Sequence, residues 1–301
     1  MIPSTLQYDD QAVSDRESLA LRYRQIRLDS EALCNPLATE DYCIQTMADV
    51  SPAKWHLAHT SWFFETFLLV PMQKHYRCFN PAFDHLFNSY YLTHSQPYAR
   101  PARGLLSRPT VTEIYQYRAA IDEAMIGLIN GAGDKQWQTI EALTVLGLNH
   151  EQQHQELMLA DLKHVFAQNP LRPRYRELAS PPEHSAVEPG WIPVDEGIYE
   201  TGNDGSGFGF DNENPRHKVL LPAFALASRA VTNAEYLEFI DDGGYSNPAL
   251  WLSDGWATRE ANNWFAPLYW ERRDSEWWQM TLGGMRPLDA NAPVCHVSQY
   301  E

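Results

Sequence analysis

From the N-terminus to about Phe166, apolar positions recur at steps of three and four, the period of helices with one face turned to a core. The pattern predicts four helices. The first covers roughly Val13 to Leu33. The second follows Ser51-Pro52, read as an N-cap with proline at the first helical position, and runs to about Val70. The third opens with Thr110 and Glu113, the pair of a capping box, and continues to about Ile129. The fourth is the longest, from Asp134 as N-cap to Phe166, stopping before Asn169-Pro170. Helices of this length predict an antiparallel bundle. Between the second and third, His75 to Pro109 is aromatic and too long for a plain bundle connection, and such loops are often functional.

The texture then changes. Asn169 to Gly190 is rich in proline and charge, and from Trp191 the chain shows short β-type runs (Trp191 to Val194, Lys218 to Leu221) among Gly, Asn and Asp turns. One short helix is predicted near Asn233 to Ile240. The fold class expected is therefore α+β and multidomain: a bundle over residues 1–170, a linker over 171–190 and a loop-rich second domain over 191–301.

Composition narrows the partners. A formal net charge of −16 over 301 residues argues against nucleic acid and anionic membranes, which need clustered Lys and Arg. Cys34, Cys43, Cys78 and Cys295 lack CxxC spacing and read as free thiols of a reducing compartment. Met1 to Asp10 has neither the basic nor the apolar region of a signal peptide, and the densest apolar run, Trp62 to Met72, is broken by Glu65 and Pro71. A cytoplasmic location is the expectation.

The candidate chemistry lies in His150-Glu151-Gln152-Gln153-His154. Imidazoles four residues apart on a helix share one face and can reach one ion. Leu143, His150 and Leu157 nearly superpose on a helical wheel, which places His150 on a stripe expected to face the bundle interior. A third ligand should come from the second helix. His59 shares a stripe with Trp55, Trp62 and Thr66, and His56 shares one with Phe63 and Phe67, so wheel geometry does not choose. Three neutral histidines suit Zn(II) as well as Fe(II) and leave coordination positions open. His150-Glu151-x-x-His154 also matches the zinc metalloprotease pattern, with Glu151 as general base. The competing classes are thus a zinc hydrolase, an iron oxygenase in which Glu151 is solvated or merely supports a ligand, and a metal-binding module without catalysis.

Longer segments are more specific. Ser51 to Phe67, Phe87-Asn88-Ser89-Tyr90-Tyr91, His150 to Glu156, Asp211 to His217, Ala230 to Tyr236 and Pro293 to Ser298 together resemble, in order, the hercynylcysteine sulfoxide synthase (EgtB) family of ergothioneine biosynthesis. The resemblance implies a DinB-like four-helix bundle followed by a domain like formylglycine-generating enzyme, with a C-type-lectin-like fold. It implies His59, His150 and His154 as ligands of Fe(II). The implied reaction uses O2 to join the sulfur of cysteine or γ-glutamylcysteine to hercynine as a sulfoxide. Selenoneine synthases, with a selenosugar donor, are a related alternative.

By the same resemblance Tyr90 and Tyr91 would supply a phenol during oxygen activation, a proton-donating role the group can fill. Arg100 and Arg103 would hold the carboxylate of the thiol substrate, which suits the guanidinium fork. Relatives of this architecture continue well beyond a segment like Pro293 to Glu301, so the second domain is expected to be incomplete, including residues that contact hercynine. Oligomeric state is not legible.

Overall fold

The computed structural model describes residues 16–92, 95–179, 185 and 187–301. The first predicted helix before Arg16, the segment read for a leader, and residues 180–184 and 186 of the expected linker lie outside the described residues. The chain forms two compact units. One comprises residues up to Gln168 together with Asp204–Asp211; the other comprises Asn169–Asn203 and Asn212–Glu301.

The helical unit contains α1 (Arg16–Cys34), α2 (Ala53–Phe64), the short α3 (Val70–Met72) and α4 (Ala82–Phe87), then α5 (Val111–Gly131) and α6 (Asp134–Gln168). α1 buries Leu19, Tyr23, Ile26, Arg27, Ser30 and Cys34, the spacing of a single helical face. α5 begins as its sequence predicts: the Thr110 side chain accepts from the Glu113 N–H, and Glu113 caps Thr110 in return. α2 and α1 each pack against both α5 and α6.

α2 differs from its neighbours because every one of its residues is buried. Ser51 is not its N-cap. Pro52 occupies that position, its carbonyl accepting from the Trp55 and His56 N–H groups, while the Ser51 hydroxyl accepts from Arg103 instead. Beyond Phe64 the helix continues through a π turn, Glu65–Leu69, closed by the Val70 N–H reaching the Glu65 carbonyl five residues back. The Glu65 carboxylate there accepts from the Tyr76 and Tyr117 hydroxyls and from the Phe79 N–H.

α6 corrects two expectations. Its first turn is capped by the Gly133 carbonyl, so Asp134 lies inside the helix and pairs with Arg16 at 2.8 Å. Its interior stripe is Ile140, Thr144, Gly147, Leu148, Glu151, Met158 and Leu162, whereas Leu157 is 48% exposed. The apolar stripe drawn through Leu143, His150 and Leu157 was therefore rotated, since the side chain at the centre of the buried face is the carboxylate of Glu151. At Gly147 a Cβ would lie 2.5 Å from the Phe64 ring and 2.8 Å from the Phe63 ring, so the missing side chain is what lets α6 approach α2.

Glu151 sits in an ionic knot that joins α1, α5 and α6. Its Oε2 accepts from Arg27 at 2.9 Å, and its Oε1 accepts from Ser30 at 2.7 Å and Arg118 at 3.1 Å. Arg27 also meets Asp122 at 2.6 Å, and Arg118 meets Glu31 at 3.3 Å. Such groups are tolerated in a core because each is paired and hydrogen-bonded.

His75 to Pro109 is not structureless: it holds α4 and a 3-10 turn, Arg100–Leu105. Among the described residues no helix is long and apolar enough to cross a membrane, and all four cysteines are free thiols.

The second unit takes in the expected linker, beginning at Asn169; Tyr175 is buried and its N–H donates to the Leu282 carbonyl. Its strands are β1 (Trp191–Val194), β2 (Gly197–Thr201), β3 (His217–Leu221), β4 (Phe224–Ala227), β5 (Trp270–Arg273), β6 (Glu276–Thr281) and β7 (Gly284–Pro287). All pairings are antiparallel: β1 with β4, β2 with β3, and β5-β6-β7 as a meander. The predicted helix is α7 (Asn233–Asp241), opened by a Thr232–Glu235 capping box, and α8 (Ser253–Asn262) follows it. Tyr236, Tyr245, Trp251 and Trp270 form the buried cluster of this unit. By contrast, Ile198 and Leu220 of the β2–β3 pair are 70% and 72% exposed.

Candidate metal centre

α2 carries His56 and His59, and the helix packed against it, α6, carries His150 and His154 four residues apart. The ligand atoms of His59, His150 and His154 all lie within 4.8 Å of one another, and His59 Nε2 stands 3.3 Å from His150 Nε2. His59 is held on three sides. Its Nδ1–H donates to the Phe87 carbonyl at 2.6 Å, and its ring lies between Trp55 (4.6 Å, 11°) and Trp62 (5.5 Å, 17°). That hydrogen bond fixes the tautomer and leaves Nε2 with its lone pair. His150 packs on Phe63, and its Nδ1 is buried without a hydrogen-bond partner.

All three imidazoles are held neutral. Burial, and then the neighbouring imidazole of His150, push His59 well below the ordinary histidine range. Burial, and then His59 and His56, do the same for His154. Burial lowers His150 to about 4. Neutral imidazole is the form that binds metal. Three converging nitrogen lone pairs with no thiolate or carboxylate among them fit a borderline divalent ion such as Zn(II) or Fe(II).

These depressed values make stability depend on pH. An unfolded chain protonates its histidines near pH 6.5, whereas the folded chain resists until His150 titrates near 4, so the unfolded state binds more protons between those values. Acidification from pH 7 toward 4.5 should therefore lower the urea midpoint of the metal-free chain, with His164, also depressed by burial, adding in the same direction. A midpoint that stays level across that range would contradict a triad held neutral in the folded state.

Glu151 adjoins His150 in sequence but serves another purpose. Burial raises its carboxyl pKa, yet Arg27 and Arg118, with the Ser30 hydroxyl, outweigh this and hold it below the usual range. Both oxygens are committed to the ionic knot, which leaves none aimed at a water for general-base work. It is equally not a solvated residue, being 1% exposed.

His56 stands apart from the three. Its Nδ1 lies 2.8 Å from His154 Nδ1, and its Nε2 lies 3.0 Å from Asp161 Oδ2. Asp161 follows His154 by seven residues on α6 and so shares its face, a periodicity that could have singled it out in the sequence.

The remaining residues of interest divide. Arg103 is buried, stacks on Trp55 at 3.4 Å and donates to Ser51 Oγ at 2.9 Å. Its Nε is buried without a partner, and among the described residues no carboxylate forms a salt bridge with it. Burial and then Arg100 lower it to about 9. Arg100 is 55% exposed and donates to the Asp49 carbonyl, so it does not share the buried position of Arg103. Tyr91 packs on Trp62 and Phe67, one ring removed from His59, and burial with its bond to Tyr90 raises its pKa. Tyr90 is 68% exposed and stacks on Tyr91, with the hydroxyls 3.2 Å apart. Trp55 and the Phe87 carbonyl, which position His59, had no role in the sequence reading; a tryptophan on the His59 stripe was the available signal for the first.

Comparison with known proteins agrees with this division of the chain. Residues 22–158 match the DinB superfamily, and residues 176–301 match the sulfatase-modifying factor enzyme 1-like domain. Hercynine oxygenase of Mycolicibacterium smegmatis is 40% identical over 91 residues, 30% of this chain and 21% of that protein. Hercynine oxygenase of Mycolicibacterium thermoresistibile is 33% identical over 156 residues, 51% of this chain and 34% of that protein. Ergothioneine biosynthesis protein 1 of Neurospora crassa is 30% identical over 158 residues, 48% of this chain and 18% of that protein. Each match thus spans well under two thirds of the relative's own length. With a DinB superfamily helical domain followed by a sulfatase-modifying factor enzyme 1-like domain, the chain is a homologue of the hercynine oxygenases of the EgtB type.

Proposed function

We propose that the chain holds Fe(II) on His59, His150 and His154 and belongs to an O2-dependent sulfoxide synthase that joins hercynine to cysteine or γ-glutamylcysteine. The observation that carries this reading is the convergence of three neutral imidazoles from α2 and α6 on one point. The relatives named hercynine oxygenase supply the substrate class.

The balance of the reaction is simple. The thiol S–H and an imidazole C–H are lost, a C–S bond forms, one oxygen atom of O2 ends on sulfur and the other leaves as water. Bound Fe(II) would supply the one-electron chemistry toward O2 that no side chain here can. The protein's part is to place the reactants. Arg103, a buried guanidinium with an uncommitted N–H, offers the charge to hold the donor's carboxylate. Arg100, at the surface, is assigned a lesser share of that task. Tyr91 and its partner Tyr90 would deliver a proton through their paired hydroxyls.

The zinc hydrolase reading loses its general base, because Glu151 is locked between two arginines. The deciding experiment is anaerobic Fe(II) loading, then O2 with hercynine and each of cysteine, γ-glutamylcysteine and a selenosugar, read by mass spectrometry. A hercynine–donor conjugate carrying one added oxygen is expected with a thiol. A selenium conjugate alone would make the chain a selenoneine synthase. Peptide cleavage by the zinc-loaded chain, with no conjugate from the iron-loaded one, would reverse the assignment.

A further inference from the structure

We infer that His56 and Asp161 form a hydrogen-bonded relay that fixes the tautomer and ring orientation of His154 and so sets how tightly the triad binds metal. The inference rests on the metal reading of the triad and extends it to residues that touch no metal.

The geometry allows one arrangement that satisfies every atom. His154 can turn Nε2 toward His59 and His150 only if its proton sits on Nδ1, and the atom 2.8 Å away is His56 Nδ1. His56 must then accept at Nδ1, which puts its own proton on Nε2. That nitrogen lies 3.0 Å from the carboxyl oxygen Asp161 Oδ2, which can accept its hydrogen bond. The relay thus runs one way, from His154 through His56 to the carboxylate. Asp161 is itself anchored, since the same oxygen accepts the Ser51 N–H at 2.8 Å just before α2 begins. His56 is 4% exposed and Asp161 17%, so water competes little for these bonds.

Each triad imidazole therefore has a different outer hydrogen bond. His59 donates to a backbone carbonyl, which no substitution removes. His150 has no hydrogen-bond partner at Nδ1. Among the described residues, His154 is the triad member whose outer hydrogen bond comes from a side chain, and outer partners of ligating histidines typically contribute about 10–100-fold in metal affinity. His56 and Asp161 are positioning residues, because they act through His154.

Titration of the whole metal-free chain with Co(II), followed by its visible ligand-field bands, tests this without reference to turnover. His56→Leu should bind Co(II) about 10–100-fold more weakly, with shifted bands, while keeping its melting temperature near wild type. His56→Asn, whose Oδ1 can stand in for the accepting nitrogen, should recover much of the loss. Asp161→Asn, which keeps the shape but removes the charge, should weaken Co(II) in the same direction and decides the matter if His56→Leu does not fold. Wild-type affinity and bands in folded His56→Leu or in Asp161→Asn would overturn the relay. Equal weakness of His56→Leu and His56→Asn would overturn it too, by showing that the acceptor is irrelevant. If wild type takes up no Co(II), the metal reading falls and this inference with it; uptake by wild type confines any failure to the relay.

Discussion

Replacing His154 with alanine is expected to remove metal binding and, with it, the O2-dependent conversion proposed above. His154 supplies one of the three nitrogens gathered within 4.8 Å, and the two left cannot fix the geometry of an ion that prefers at least three protein ligands. The loss in affinity should exceed the ~10–100-fold that follows removal of an outer partner. His59→Ala and His150→Ala should behave alike. Metal content after anaerobic loading and desalting is the measurement. Wild-type stoichiometry in either α6 variant would show that the ion binds elsewhere. The folded state should survive these changes, because a neutral imidazole replaced by a methyl group leaves no charge stranded in the core.

Replacing Glu151 with alanine should instead unfold the helical unit more readily while touching no ligand. Arg27 and Arg118 are 2% and 0% exposed, and the substitution leaves both facing a void where a carboxylate neutralised them. Removing one partner from a buried ion pair costs about 3–5 kcal/mol. Domains are stable by about 5–15 kcal/mol, so this is a large share of the total. Helical circular dichroism in urea gives the number, and the lower midpoint should come with normal metal stoichiometry in whatever fraction remains folded. This separates the two meanings of His150-Glu151-x-x-His154: a zinc hydrolase would lose turnover and keep stability, whereas the ionic knot predicts the reverse order of effects.

Much of this was legible in the sequence because it depends on period. Helices of period 3.6 with a capping box at Thr110 place α5 closely, and two histidines four apart are neighbours on α6 whatever the tertiary context. The errors arose where period says nothing about which polar group a core will accept. Seven-residue spacing puts His150 on one stripe with Leu143 and Leu157, and glutamate is normally excluded from a core. Two buried arginines on other helices reverse that rule for Glu151, and neither can be paired with it from spacing alone. The same limit left His56 and His59 undecided: both are buried on α2, and what separates them is a carbonyl at Phe87 and a carboxylate at Asp161. α8 and the β5-β6-β7 meander were missed because they are short and assembled by the aromatic cluster of the second unit rather than by local pattern.

Gly147 gives the centre a dimension that no ligand controls. It lies one turn before His150, and Phe63 and Phe64 lie one turn beyond His59, so the contact that a Cβ would block sits beside the gap between the histidines of the two helices. The bite of the site, the distance between imidazoles from two separate helices, is therefore gauged by an atom that is absent. A larger residue there would act as a shim, favouring ions with longer bonds over those with shorter ones while leaving every histidine in place.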